Sequence, residues 1–477
     1  MRKFWSLVAI GILGFAPLSV SAETLTDALI SAYRNSQLLE QNQAVLRAAD
    51  EDVAQAVGAL LPVFSWQASI NANSQYIVNP TASDKFFGRN AQQQVSTSDT
   101  LSLIASITVL DFGRGKLDIA LRNALVRASQ HALVSVEQGV LIDAVTAYVD
   151  MGLQGQLVAA QVANVRLITQ DLRAANDRFD VGEVTRTDVA LAQAQLASAN
   201  AALASAQGNY NVARETYKAT IGHYPGKLSP LPKLPATSQT LSGARTVAVR
   251  THPAILQAQE QAKAADIAID AAKAEMSPNV TGQASLSQTF SGDDRAPLFS
   301  GGSSGPINES LSLSMRQTIY AGGQLSSRVR QRVAQSQQSH AGLLQTVINV
   351  EEAVGKAWSN ILVANASITA GDEQIRAAQA AYDGVKQEAE LGSRTILDVL
   401  DADQNLLSAK ASRLQAGANL YVSRYRLLSA MGLLTADHLH LGIPTFDPSA
   451  YLNAVKKAPA TTARGAKLDR ILKTLGK

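Results

Sequence analysis

Leu391-Gly392-Ser393-Arg394-Thr395-Ile396-Leu397-Asp398-Val399-Leu400-Asp401 interrupts two long helical patterns, and its reading decides the fold. Gly392 stands where a left-handed residue ends a helix. Thr395 followed three residues later by Asp398 resembles a capping box with Asp in place of the usual Glu. The stretch therefore predicts a helix end, a tight turn and a new helix start. Val181-Gly182-Glu183-Val184-Thr185-Arg186-Thr187-Asp188-Val189 predicts the same arrangement earlier in the chain.

Outward from each turn the chain is helical. Residues 116–179 precede the first turn, a span of ~95 Å at helical rise. Residues 187–221 follow it, with Val189, Leu196, Leu203, Tyr210 and Tyr217 seven apart. A second long helix ends near Glu390. Its Leu343, Val347, Val350, Val354, Ala357, Ile361, Ala364 and Ile368 keep the four-three spacing of a left-handed coiled coil. Beyond the second turn, Leu400, Leu407, Leu414, Tyr421 and Leu428 again sit seven apart.

Upstream of each long helix the period changes from helical to two. Phe64, Trp66, Ala68, Ile70 and Ala72 alternate with Ser, Gln and Asn, and Leu101, Leu103, Ala105, Ile107 and Val109 alternate with Ser and Thr, broken once by Ile104. Val280, Ala284, Leu286 and Phe290, then Leu311, Leu313, Met315 and Ile319, repeat the pattern. These are four strands of about 10 to 14 residues, each with one apolar face. Residues 79–98 and 291–308 read as polar loops, and helices 24–61 and 244–276 precede the two strand pairs. The expected organisation is a signal peptide at 1–22, a first repeat at 23–221, a linker at 222–243, a second repeat at 244–431 in the same order, and a C-terminal tail at 432–477. In each repeat two shorter helices laid end to end match the long one in length.

Arg2 and Lys3, the apolar run Leu7 to Phe15 and the small residues Val20-Ser21-Ala22 form a secretory leader pattern. No later stretch offers the ~18 consecutive apolar residues of a membrane-spanning helix. Without the leader's two basic residues the formal charge falls from +3 to +1, which argues against nucleic acid or another polyanion as partner. The chain has no Cys, so disulfides, thiolate metal sites, Cys nucleophiles and lipid attachment through Cys are excluded. The six His show no metal-ligand spacing; His131, His252 and His340 read as ordinary helix or surface residues, and no cofactor is expected. No Gly-rich phosphate loop precedes a helix, and no His/acid metal spacing is present, so these motifs give an enzyme no support.

Four half-apolar strands fit either a soluble subdomain packed on helices or a membrane crossing. The leader, the strand length and the Ser/Thr/Gln/Asn second face favour the membrane, with that polar face toward a wet lumen. Four strands cannot close around water, and unpaired edges are prohibitive in lipid, so several chains must then share one barrel. Loops 79–98 and 291–307 would face outside. Trp66 and Tyr76 could anchor at the membrane interface; core packing serves Trp66 equally well.

The repeat order, the long helices, Ile319-Tyr320-Ala321-Gly322-Gly323 and the Gly392 to Asp401 motif together make the chain resemble the TolC family of outer-membrane efflux proteins. The similarity reaches to about residue 435. The resemblance implies a homotrimer in which three protomers build one transmembrane β-barrel of twelve strands, four per protomer, continued by a long α-helical coiled-coil barrel across the periplasm. It implies outer-membrane lipid around the strands, and a periplasmic adaptor protein and an inner-membrane transporter as partners in drug efflux or type I secretion. It makes Asp398 and Asp401 the acidic rings of a gate, Arg394 a latch toward Thr187 and Asp188, and Gly182 and Gly392 the adaptor-docking tips. Ala389 departs from the family, which has a latch tyrosine there. From the residues alone, Asp398 reads as a helix cap and Arg394 as half of a surface ion pair.

Overall fold

The computed structural model describes residues 22–78, 91–292 and 303–456, with residues 467 and 470. The leader up to residue 21, most of the two expected loops, and the end of the tail lie outside the described residues. The chain forms two compact units, each drawing on both halves of the sequence. One comprises Met1–Leu39, Glu137–Arg245 and Ala353–Pro444; the other Glu40–Val136, Thr246–Glu352 and Thr445–Lys477.

The element order is α1 (Leu25–Asn35), α2 (Gln37–Gly58), β1 (Val63–Val78), β2 (Ala91–Leu110), α3 (Arg114–Asp180) and α4 (Arg186–Ile221), then α5 (Leu241–Thr251), α6 (Pro253–Ala274), β3 (Asn279–Gly292), β4 (Ser303–Arg316), α7 (Gln324–Glu390) and α8 (Ile396–Ala430). Helix, helix, strand, strand, 67-residue helix and shorter helix thus occur twice in that order. The expected single helices 24–61 and 244–276 are each two. Ser36 is extended between α1 and α2, and its hydroxyl accepts the Leu39 N–H at 3.2 Å, so the serine ends one helix and caps the next. Pro253 has no N–H to continue α5 and starts α6 instead.

The all-helical first unit is closed by alanines. Ala28 and Ala32 of α1, Ala144 of α3 and Ala213 of α4 are buried beside Leu29, Leu141, Tyr217 and Ile221. Small side chains at these positions let helices approach closely while the larger ones fill between. Part of α3, over 18 residues, is apolar enough in composition to cross a membrane, but half of that window is buried. Tyr148 is a core residue of this helix, its hydroxyl 3.0 and 2.8 Å from the carbonyl oxygens of Glu23 and Ser229.

The second unit holds one antiparallel sheet in the order β1-β2-β3-β4. Residues paired across the ladder share a face. Trp66, Leu103 and Leu286 form one row, and Phe64, Ala105, Ala284 and Leu311 the next. Asp99 and Glu309 interrupt this apolar face, opposite Ile70 and Leu286. On the other face hydroxyls pair across strands, Thr281 with Ser314 at 2.8 Å and Ser285 with Ser310 at 2.7 Å. The apolar face is uncovered: Trp66 is 76 % and Leu311 86 % exposed. Among the described residues of the protomer, no helix covers this face and Trp66 is not part of a core.

The strands outrun their sequence signal. Residues 91–98, expected as loop, pair with 71–78, and 291–292 and 303–308 are also strand. The sequence of these outer parts is rich in Gln, Ser, Asn and Gly with scattered apolar residues, so alternation is lost while backbone pairing continues. β4 stops at Arg316, short of the expected Ile319, because its partner there, Asn279, is the first residue of β3 and follows Pro278; Gly322 and Gly323 then turn the chain at positive φ into α7. The tail beyond residue 432 carries a short helix, α9 (Ala450–Val455), that periodicity did not reveal.

At the turn into α3, the Asp111 carboxylate accepts the N–H of Gly113 at 2.9 Å and of Gly115 at 2.7 Å, and these bonds hold it below the usual carboxylate range. A lowered acid stabilises the fold above its unfolded pKa, and that contribution is lost as pH falls through its folded value. Asp111→Ala is expected to cost about 1 kcal/mol of stability at pH 7. Chemical denaturation at a series of pH values should show the difference from wild type shrinking below about pH 4.

Candidate functional site

Both helical turns lie in the first unit and are built alike. α3 ends with Gly182 at φ +79°, and the Glu183 N–H donates to the Arg178 carbonyl at 2.9 Å. α7 ends with Gly392 at φ +77°, and the Ser393 N–H donates to the Glu388 carbonyl at 2.9 Å. This six-to-one bond is the Schellman closure, and the left-handed glycine makes it possible. Each following helix starts on a reciprocal cap. Thr185 donates its N–H and hydroxyl to one Asp188 oxygen, each at 2.8 Å, and accepts the Asp188 N–H at 3.3 Å. Thr395 and Asp398 repeat this at 3.0, 2.8 and 3.3 Å.

These bonds, the backbone one first, hold both aspartates below the usual carboxylate range. A third such box, Thr24 with Asp27, starts α1. Thr-x-x-Asp in this chain is therefore a general device for starting helices, and the cap reading of Asp398 is the geometry observed. Asp401, one turn on, is exposed and has no capping role.

The two turns meet at a cavity of about 660 Å³, which Asp188 and Arg394 both line along with Lys386 and Ala389. Within the protomer Arg394 is paired with neither Thr187 nor Asp188. Its Nε donates to Glu388 at 3.0 Å, a residue the sequence reading did not single out. Thr187 is exposed.

Sequence reasoning also missed Asp171, Tyr382 and Asp403. Burial pushes Asp171 above the usual carboxylate range against the pull of Lys386, and burial with the neighbouring Asp171 does the same to Asp403. The ring between them, Tyr382, packs with Val399 and Leu406. A signal was present: Asp403 follows Leu400 by three residues, a core position of the heptad occupied by an acid. Among the described residues no cluster of His, Asp and Glu could hold a metal ion.

A sequence profile described as "Outer membrane efflux protein" matches residues 29–223 and 246–433. The chain belongs to the outer membrane efflux protein family. It is similar to the outer membrane efflux protein BepC of Brucella suis biovar 1 (strain 1330), 33 % identical over 437 residues, or 91 % of each chain. It is 25 % identical to the outer membrane protein TolC of Escherichia coli (strain K12), over 97 % of this chain and 93 % of that one. Among solved structures the Campylobacter jejuni CmeC outer membrane channel aligns with a TM-score of 0.70 over 91 % of this chain and 89 % of that chain; at 17 % identity this likeness is one of fold. Membership places the chain in the outer membrane as an efflux channel, in a family of channels rather than of enzymes.

The cap geometry makes a prediction for both turns. Thr185→Ala and Thr395→Ala should each cost about 1 kcal/mol locally. Hydrogen exchange should therefore speed up severalfold in the first turn of α4 or α8, with the ends of α3 and α7 unchanged.

Proposed function

We propose that the chain is the passive, homotrimeric exit duct of a tripartite efflux or type I secretion system, gated at its helical turns. The observation that carries this reading is the sheet: one face apolar and exposed, the other lined with hydroxyls and amides, and two outer strands, β1 and β4. Apolar side chains suit lipid, the polar face suits a wet lumen, and the edges require further strands before the sheet can sit in hydrocarbon. Three copies give twelve strands. The twofold element order is the internal repeat this design uses, with 23–221 and 244–431 as its halves. A periplasmic adaptor protein docking on the turns at Gly182 and Gly392, and an inner-membrane transporter, supply the energy.

The gate is the pair Asp398 and Asp401 of each protomer, repeated around the axis. Such rings concentrate cations in a constriction and repel anions. The two acids do not contribute alike. Asp398 spends one oxygen on its cap, whereas Asp401 offers its whole charge to the pore. Arg394, which lines the same cavity as Asp188, latches the closed state toward Thr187 and Asp188 of the first turn by exchanging its Glu388 partner. With Ala389 in place of a tyrosine, this latch has one partner fewer.

Planar-bilayer recordings test the reading. Asp401→Asn should lower cation-over-anion selectivity and block by multivalent cations with helix capping intact, and Asp398→Asn with Asp401→Asn should lower both further. Arg394→Ser should raise the conductance of the isolated channel modestly and leave selectivity in place. Full selectivity and full block in the double variant would make both acids structural and move the gate elsewhere.

A further inference from the structure

Asp50 is fully buried, and among the described residues neither of its carboxylate oxygens has a hydrogen-bond partner. It lies on α2 between Leu46 and Val53, four residues after one and three before the other, and both are buried. An acid thus occupies a core position of the second unit. Such a group is tolerated only in its neutral form, because an ionised carboxylate without partners in a dry site costs far more than any local packing returns.

The C-terminal segment runs beside this part of α2, close enough for Asp50 to act on the Tyr451 phenol. Tyr451 of α9 donates its hydroxyl to Glu51, the residue next to Asp50, at 2.6 Å. Val455 is buried, and the Pro448 carbonyl accepts the Gln130 side-chain amide of α3 at 3.4 Å. Among the described residues, 445–456 form a strap held by Tyr451, Val455 and the Pro448 carbonyl. We propose that Asp50 is a proton-operated release for this strap, closed over the neutral acid and opened when the acid ionises.

The surrounding charges favour that behaviour. Glu51 on the same helix opposes ionisation, and Asp50 in turn acts on the Tyr451 phenol. Among the described cations nearby, Arg47 of α2 acts on the same Tyr451 phenol, and none donates to Asp50. Arg47 of α2 donates to the Gln43 carbonyl, Arg122 of α3 is shared by Asp52 and Asp118, Arg127 of α3 pairs with Glu260 of α6, and Lys456 donates to Asn453. Burial, with Glu51 second, pushes Asp50 up to about 7.

The sign follows from linkage. An acid whose pKa is raised in the closed form favours closure most below the ordinary carboxylate range. The closed-to-open ratio then falls by up to tenfold per pH unit until the buried acid ionises near 7, and is flat above that. Opening lets water reach the carboxylate and separates Tyr451 from Glu51.

The chain has no Cys, so a single spin label can be placed through Ala454→Cys, an exposed position on α9. In the full chain in detergent, the mobile fraction of the label should rise between pH 4.5 and 7 and level off above. Asp50→Asn should hold the mobile fraction constant across the range, and Asp50→Leu, which matches the apolar neighbours, serves if the amide variant does not fold. Glu51→Gln should leave the pH dependence in place. A pH-independent label in the Asp50 chain, or a slope retained by either Asp50 variant, would overturn the proposal.

Discussion

A backbone N–H or C=O in hydrocarbon must find a partner within the protein, and the sheet of this chain depends on that constraint. Between neighbouring strands the ladder meets it, from Val63 opposite Ser106 to Asn279 opposite Arg316. β1 and β4 are the outer strands of the sheet, and the apolar face beside them is open. In water such a face would be an association hazard. On the proposed trimeric reading this face meets lipid and strands of further copies close the edges; residue choice on the sheet, location and the need for several copies are then one physical statement.

The helical unit meets a different demand, which is to reverse long helices without loose loops. Each reversal uses a left-handed glycine to satisfy the last carbonyls and a Thr–Asp box to satisfy the first N–H groups. That economy constrains function. Asp398 serves the cap with one oxygen, and Asp401 follows one turn later, exposed and outside the cap; on the proposed gate, structural and electrostatic duty are thereby divided between the two acids. Buried acids such as Asp403 and Asp50 mark the opposite choice, in which packing positions carry groups that cannot ionise freely.

Much of this was legible because period and punctuation are local. The seven-residue spacing of Leu400, Leu407 and Leu414 marked α8, the alternation from Phe64 to Ala72 marked β1, and Gly392 with Thr395 and Asp398 marked the turn between helices. What escaped was set by tertiary partners or by weak local signals. The outer parts of β2 and β4 carry too few apolar residues to alternate clearly, though their backbones pair. Ser36 and Pro253 each divide a helical pattern whose hydrophobic spacing runs through the break. The pairing of Arg394 with Glu388 depends on the turn folding the chain back on itself, which residue spacing does not reveal. The tip motif was found through resemblance as much as through physics, since capping alone explains Asp398.

The central claim is that this sheet is one part of a barrel completed by other copies of the chain. Native mass spectrometry of the protein released gently from detergent tests it most directly. The account predicts a single species with the mass of three chains that falls to one chain on heating, together with channel activity only in the unheated sample. A stable single chain that still conducts ions would contradict it.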